Sequence, residues 1–244
     1  MRVLVLGHKG MLGATVCRYL ESKGHVVFTT SSKWPNNSFK EYVLESDCDV
    51  IVNCAGSIPQ RSNDFFINYS LPIWLDCSVP QRVPVIHAGT DCESDASDYG
   101  ASKRLASEYL LRAGTHTKMI KCSIIGEGGN GLMQWQINNK GKTISGYVDS
   151  FWNGITTLEW AKICCRHIDR LDNPDLDFST ITPATSCISK YDLLGIIDDI
   201  YGLKTIINKD YKNNNKCLEG DYIVPEIRQQ IKELKQFNDN YRDL

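Results

Sequence analysis

Tyr99 and Lys103 stand four residues apart in the run Tyr99-Gly100-Ala101-Ser102-Lys103. On a helix that spacing puts both side chains on one face. A phenol with an ordinary pKa of about 10 is a poor acid/base catalyst at neutral pH. A neighbouring ammonium, helped by the charge of an oxidised nicotinamide, favours the phenolate and brings the group toward working range. Upstream, the apolar run Ile86-His87-Ala88-Gly89-Thr90 ends on a hydroxyl that can align a substrate carbonyl. Thr90, Tyr99 and Lys103 together have the composition of a proton-transfer site for a carbonyl–alcohol interconversion.

A second cluster opens the chain. Val3-Leu4-Val5-Leu6 runs directly into Gly7-His8-Lys9-Gly10-Met11-Leu12-Gly13. Three glycines at this spacing, between a strand and a helix, permit a tight turn, close backbone approach to a pyrophosphate and close helix–strand packing. The exposed N–H groups of the following helix then face the phosphates. Val52-Asn53-Cys54-Ala55-Gly56 closes the third apolar run with small residues, over which a flat cofactor could pass. Cofactor choice is expected just beyond the second strand. An acid there favours the ribose 2′-hydroxyl of NAD, yet none occurs between Glu21 and Glu41. Ser31, Ser32 and Lys33 offer hydroxyls and a cation to a 2′-phosphate instead, so NADPH is the expected cofactor and NADH the alternative.

These residues need a parallel sheet to hold them. Short β-rich runs alternate with helical periodicity through the first half, the pattern of strands covered by helices. Strands are expected near 3–6, 25–29, 49–53, 83–88 and 118–122, and helices near 11–23, 39–46, 63–77 and 99–113. Gly24 and Gly114 suit helix C-termini. Beyond Gly126 the alternation loosens, with helical patterns near 131–139, 156–170, 189–201 and 225–237. Ser189-x-x-Asp192 resembles a capping box, and Lys209–Lys216, with its Asn run, reads as a solvated loop. The fold class is α/β: a Rossmann-type doubly wound parallel sheet with a small C-terminal substrate-binding cap. Residues 1–244 form one unit, with about 1–125 mainly binding the dinucleotide and about 126–244 contributing the cap.

Composition narrows the partners. With 27 Lys and Arg against 29 Asp and Glu, a net charge of −2 gives no electrostatic basis for nucleic acid or an anionic membrane. Apolar runs are strand-sized, far below the roughly 20 residues of a membrane helix. The chain enters a core strand within three residues, which leaves no room for a signal peptide. The ten cysteines sit mostly in apolar patterns without a Cys-x-x-Cys pair. They read as reduced, buried thiols of a cytoplasmic protein, with no metal ligand set.

Taken together, these motifs resemble the extended short-chain dehydrogenases/reductases, and more narrowly the dTDP-4-dehydrorhamnose reductase family of nucleotide-sugar reductases. The resemblance runs through nearly the whole chain. Besides the motifs above, it is carried by Lys121-Cys122-Ser123-Ile124-Ile125-Gly126, Phe151-Trp152-Asn153-Gly154-Ile155-Thr156-Thr157 and Ser189-Lys190-Tyr191-Asp192-Leu193-Leu194. It implies cofactor contacts from Gly10, Met11, Leu12, Cys54, Ala55 and Gly56, and a catalytic trio of Thr90, Tyr99 and Lys103. It implies substrate contacts from Thr90, Asp91, Ile124, Trp152 and Asn153, a nucleotide-sugar substrate, and a homodimer as the candidate assembly. The implied reaction is reduction of a 4-keto-6-deoxy nucleotide sugar. Relatives carry a longer loop between the Thr-Asp pair and the tyrosine; here only Cys92–Asp98 intervene, which shortens one wall of the pocket.

Two other readings belong to the same fold. Dehydratases, cousins of the epimerases, place an Asp-Glu pair directly after the threonine. The order Thr90-Asp91-Cys92-Glu93 breaks that pair. A non-catalytic NADP-binding regulatory subunit, such as the β subunit of methionine adenosyltransferase, resembles the family too. Retention of the whole trio argues for chemistry.

Overall fold

The computed structural model describes residues 1–112, 116–171 and 180–242. Gly114, expected to end the fourth helix, lies outside the described residues, as does the last residue expected in that helix. By internal packing the chain divides into two compact units, Met1–Lys121 with Ala161–Ile181, and Cys122–Trp160 with Thr182–Leu244.

The first unit is built on a parallel sheet of β1 (Arg2–Leu6), β2 (Val26–Thr29), β3 (Val50–Asn53), β4 (Val85–Ala88) and β5 (Thr117–Ile120). Its order is β2-β1-β3-β4-β5, with Thr180–Ile181 added beside β5. Helices α1 (Met11–Ser22), α2 (Asn37–Glu45), α3 (Ile67–Ser78) and α4 (Asp98–Arg112) connect the strands. Val3–Leu6 are fully buried, as expected of a parallel strand covered on both faces. On one face Leu4, Leu6 and Ile51 pack with Phe39 and Val43 of α2 and Leu71 and Leu75 of α3. Register aligns the strand ends. Leu6 lies beside Asn53, and Asn53 beside His87, so the C-terminal ends of β1, β3 and β4 stop level. Strand order reverses between β1 and β3, the place where such sheets open a crevice.

The second unit holds α5 (Leu132–Asn138), the first turn of α6 (Thr157–Ile168), α7 (Lys190–Tyr201) and α8 (Ile227–Arg242). Ser189 caps α7 as the sequence predicts: its hydroxyl accepts from Asp192 N at 3.0 Å. This unit departs from the sequence-based expectation twice. Lys209–Lys216 is not simply a loop. Ile206–Asp210 pairs in parallel with Thr143–Tyr147, and Asn214–Asn215 pairs with Ser150 and Phe151. Backbone pairing asks nothing of side-chain polarity, and the Asp149 carboxylate receives Lys212 N and Asn213 N at 2.7 and 2.9 Å to hold the bend between them. Nor are all ten cysteines free thiols, because Cys187 and Cys217 form a disulfide. The fold brings two residues thirty apart in sequence to a Cα separation of 6.0 Å, which spacing along the chain does not reveal. No described helix is long and apolar enough to cross a membrane.

Candidate active site

The glycine turn has three different reasons for its three glycines. Gly7 adopts φ +80°, and a Cβ there would sit 2.7 Å from Ala55 N. A Cβ on Gly13 would lie 2.3 Å from Gly7 O, so α1 can start this close to β1 only without a side chain. Gly10 is different: its nearest obstacle is Gly7 O at 3.3 Å. The backbone over Gly10 is thus open on the side away from the protein. Gly10 is also the N-cap of α1, and no side chain caps that end. Unpaired N–H groups at a helix start attract anions.

A cavity of about 420 Å³ adjoins this turn. It is lined by Gly7, His8, Lys9, Gly10, the run Thr30–Trp34, Cys54–Gly56 and Arg61, with Phe39, Ile67 and Leu71 at its base. Ser31, Ser32 and Lys33 therefore share one cavity with the glycine turn and the Cys54–Gly56 segment. Met11 and Leu12 open α1 half-buried beside it and do not line it. Lys9, Lys33 and Arg61 contribute three cations to the lining, and no carboxylate faces them there. Lys9 and Arg61 carried no signal of their own, since a lone surface cation is unremarkable until the fold places it. The open cradle at Gly10 and this cationic lining fit a dinucleotide with an extra phosphate.

Two buried amides hold the strand ends. Asn53 Oδ1 accepts from Ala55 N at 3.1 Å, and its Nδ2 lies 3.2 Å from His87 Nδ1. Burial drives the His87 pKa well below the usual histidine range, so the imidazole is neutral. Asn68 Oδ1 receives Ser57 N at 2.8 Å, while its Nδ2 donates to Ser57 O and Ser102 Oγ. Asn53 lay inside the Val52–Gly56 motif without a role of its own, and Asn68 did not stand out, because an amide beside apolar residues reads as ordinary polar decoration.

The trio assembles at the ends of β4 and α4. Thr90 follows β4, and its hydroxyl acts on the Tyr99 phenol to favour the ionised form. Asp91–Ser94 form a 3₁₀ turn, and Asp98 begins α4, so the short Cys92–Asp98 segment is wound up and not stretched. Gly100 makes this possible: a Cβ there would meet Cys92 O at 2.4 Å. Phe65 stacks edge-on against Tyr99 with ring centres 5.7 Å apart. One helical turn along, Lys103 is only 8% exposed, and its Nζ donates to Ala88 O at 3.2 Å.

Electrostatics here depart from the expected sense. Burial, with the charges of Cys92, Asp91 and Glu93 adding to it, pushes the Tyr99 phenol up to about 12, although the Thr90 hydroxyl acts the other way. Burial brings Lys103 down to about 8, against the opposing pull of Glu93. Desolvation dominates, so at neutral pH the phenol keeps its proton. Glu93 is itself engaged. Its carboxylate meets Lys121 Nζ at 2.7 Å and receives Ser107 Oγ at 2.6 Å.

The residues expected to touch substrate are divided between the two units. Asp91 is buried beside Thr90, whose hydroxyl donates to its Oδ1 at 3.2 Å. In the second unit Ile124 is half-buried and pairs with Ile155, and Trp152 is buried. Asn153 has both ends of its amide tied to the backbone of Leu218, at 2.8 and 2.9 Å. That amide serves the chain's own architecture.

Residues 3–69 match the NAD dependent epimerase/dehydratase family, a span that contains the glycine turn and every residue of the cavity lining except Leu71. Among solved structures, a dTDP-4-dehydrorhamnose reductase from Clostridium acetobutylicum superposes with TM-score 0.80 at 17% identity, covering 98% of this chain and 100% of that one. The chain has the fold of these reductases. A second dTDP-4-dehydrorhamnose reductase, from Bacillus anthracis in complex with NADP, gives TM-score 0.73 at 14% identity over 96% and 98% of the two chains. A UDP-N-acetylglucosamine 4-epimerase from Bacillus cereus gives 0.69 at 14% over 97% and 98%, so the shared fold spans more than one chemistry. No curated protein sequence matches the chain.

Proposed function

We propose that the protein is an NADPH-dependent reductase of a nucleotide-sugar ketone, with a 4-keto-6-deoxy sugar nucleotide as substrate. The observation that carries this reading is the clustering of buried Thr90 and Lys103 about Tyr99, whose phenol stays protonated at neutral pH and stands one helical turn from the lysine. When bound, NADPH would supply the hydride. Gly7, Gly10 and Cys54–Gly56 would hold its backbone-facing parts, and Ser31–Lys33 with Lys9 and Arg61 its phosphates. As the carbonyl oxygen takes on negative charge, Tyr99 Oη hands it a proton. A phenol at about 12 is well suited to that task, since it stays protonated at neutral pH and is still far more acidic than an alcohol. Thr90 aligns the oxygen, and the Lys103 ammonium stabilises the charge left on the phenol.

Elimination is the weaker reading for a specific reason. The acid that would complete a dehydratase pair, Glu93, is bound to Lys121 and Ser107 and is not poised for proton transfer. The test is NADPH oxidation over a panel of 4-keto sugar nucleotides differing in base and sugar. Turnover of at least one, abolished in Lys103→Ala, supports reduction. NADPH binding without turnover on any of them would favour the regulatory-subunit reading instead. Parallel titration with NADH tests the cofactor. Three cations and no acid in the lining predict tighter binding of NADPH, and a clear NADH preference would contradict that assignment.

A further inference from the structure

On the first unit, His25, Cys165 and Asp169 bring a nitrogen, a sulfur and an oxygen donor together. His25 Nε2 lies 3.2 Å from Asp169 Oδ1 and 3.5 Å from Cys165 Sγ, and Cys165 Sγ lies 3.5 Å from Asp169 Oδ2. A tetrahedral zinc ion with bonds of about 2.0–2.3 Å separates its nitrogen, oxygen and sulfur donors by about 3.3–3.6 Å. With one oxygen taken from Asp169, the three donor atoms lie within 4.8 Å of one another, so a rotation of the exposed carboxylate brings them to the spacing of one face of such a tetrahedron. We propose that His25, Cys165 and Asp169 form a zinc-binding site, with solvent in the fourth position.

The backbone holds each donor where it is needed. Gly24, at φ +84°, turns the chain after α1, and His25 N donates to Leu20 O at 3.1 Å before β2 begins. Cys165 and Asp169 are four residues apart, and Asp169 N donates to Cys165 O at 2.9 Å, so both face the same way. Burial is graded. Cys165 is 4% exposed, the His25 side chain 7% and the Asp169 side chain 56%, which leaves one side open for the ion to enter. An N/S/O donor set suits zinc better than magnesium or calcium, which take oxygen. Binding expels the thiol proton to solvent and leaves a thiolate on the metal, so one proton is released per ion. The ion would clip the end of α6 to the start of β2. Nothing in the sequence announced this, because 140 residues separate His25 from Cys165.

The full chain, stripped with a chelator, is titrated with Zn²⁺ against a chromophoric competitor and with Co²⁺ by absorption spectroscopy. We expect one equivalent of Zn²⁺, a thiolate-to-cobalt charge-transfer band, and a higher Tm with Zn²⁺ than with chelator. Cys165→Ser should abolish the cobalt band, and His25→Gln and Asp169→Asn should each weaken zinc binding by at least about tenfold. Asp169 is exposed enough that its variant should fold even where Cys165→Ser does not. Cys77→Ser, which removes an exposed thiol elsewhere, should keep the full equivalent. Absence of stoichiometric binding, or binding unchanged in His25→Gln and Asp169→Asn, overturns the site and leaves three side chains joined by hydrogen bonds alone.

Discussion

Tyr99 and Lys103 carry opposite perturbations from one cause. Burial disfavours the charged form of each, so the phenol moves up to about 12 and the ammonium down to about 8. Tyr99→Phe should leave NADPH affinity nearly unchanged while turnover falls by about 10²- to 10⁴-fold, the usual contribution of a general acid. Steady-state kinetics beside a cofactor titration separate the two effects. The lysine makes its own prediction about pH. With its folded pKa lowered, the ammonium is present below about pH 8 and lost above it, so turnover should decline through that range.

Stability has the reverse sense. Below pH 8 the folded protein must hold the buried charge, and the full cost is present. Between about 8 and 10.5 the folded lysine is neutral while the unfolded chain still binds a proton, so stability rises with pH; above that window the cost is gone. Lys103→Met should therefore raise stability at pH 7 by about 1–3 kcal/mol, net of the lost bond to Ala88 O, while abolishing turnover. Chemical denaturation of the variant at pH 7 and pH 10 tests the sign, since the gain should shrink at the higher pH.

At the level of elements, the sequence was legible where a run was long and its period clean. Val3–Leu6, Val50–Val52 and the helices from Met11, Asp98 and Lys190 lie within a few residues of their expected positions, because each buries a stripe or both faces of a strand. Two-residue strands such as Ile124–Ile125 and Thr180–Ile181 carry no period and were invisible. The trio was readable because its spacing is local. The amides Asn53 and Asn68 and the cations Lys9 and Arg61 gain meaning only once β1, β3 and α3 bring them to one end of the sheet. The glycine turn yields a paired prediction on this scale. Gly13→Ala forces its Cβ against Gly7 O and should destabilise the protein by about 1–3 kcal/mol. Gly10→Ala should alter stability by less than about 1 kcal/mol while weakening NADPH, because its Cβ would occupy the open cradle. Thermal melts with and without NADPH separate the two: only Gly13→Ala should melt early without ligand.

For the whole molecule, the cysteines pose a question that composition answered one way and the fold another. Eight described thiols are free, and burial raises the pKa values of Cys48 and Cys164, which fits inert packing. Cys187 and Cys217 are bonded, in the second unit, across a loop where one partner precedes Ile188–Ser189 and the other follows Asn214–Asn215. Those two strands flank Ser150–Trp152 on opposite sides, so the bond ties together the edges of a three-stranded sheet whose pairings are each only two residues long. So little pairing gives the sheet small stability of its own, and a covalent tie limits how far it can open. Closing thirty residues of chain removes unfolded-state entropy equivalent to about 3–4 kcal/mol on the loop-closure estimate. Thiol titration of denatured, unreduced protein should therefore find eight groups per chain, and ten after reduction. Cys187→Ala should lower the stability of the oxidised protein by about that amount and leave the reduced protein nearly unchanged. Ten thiols before reduction would return the chain to the fully reduced state that its composition suggested.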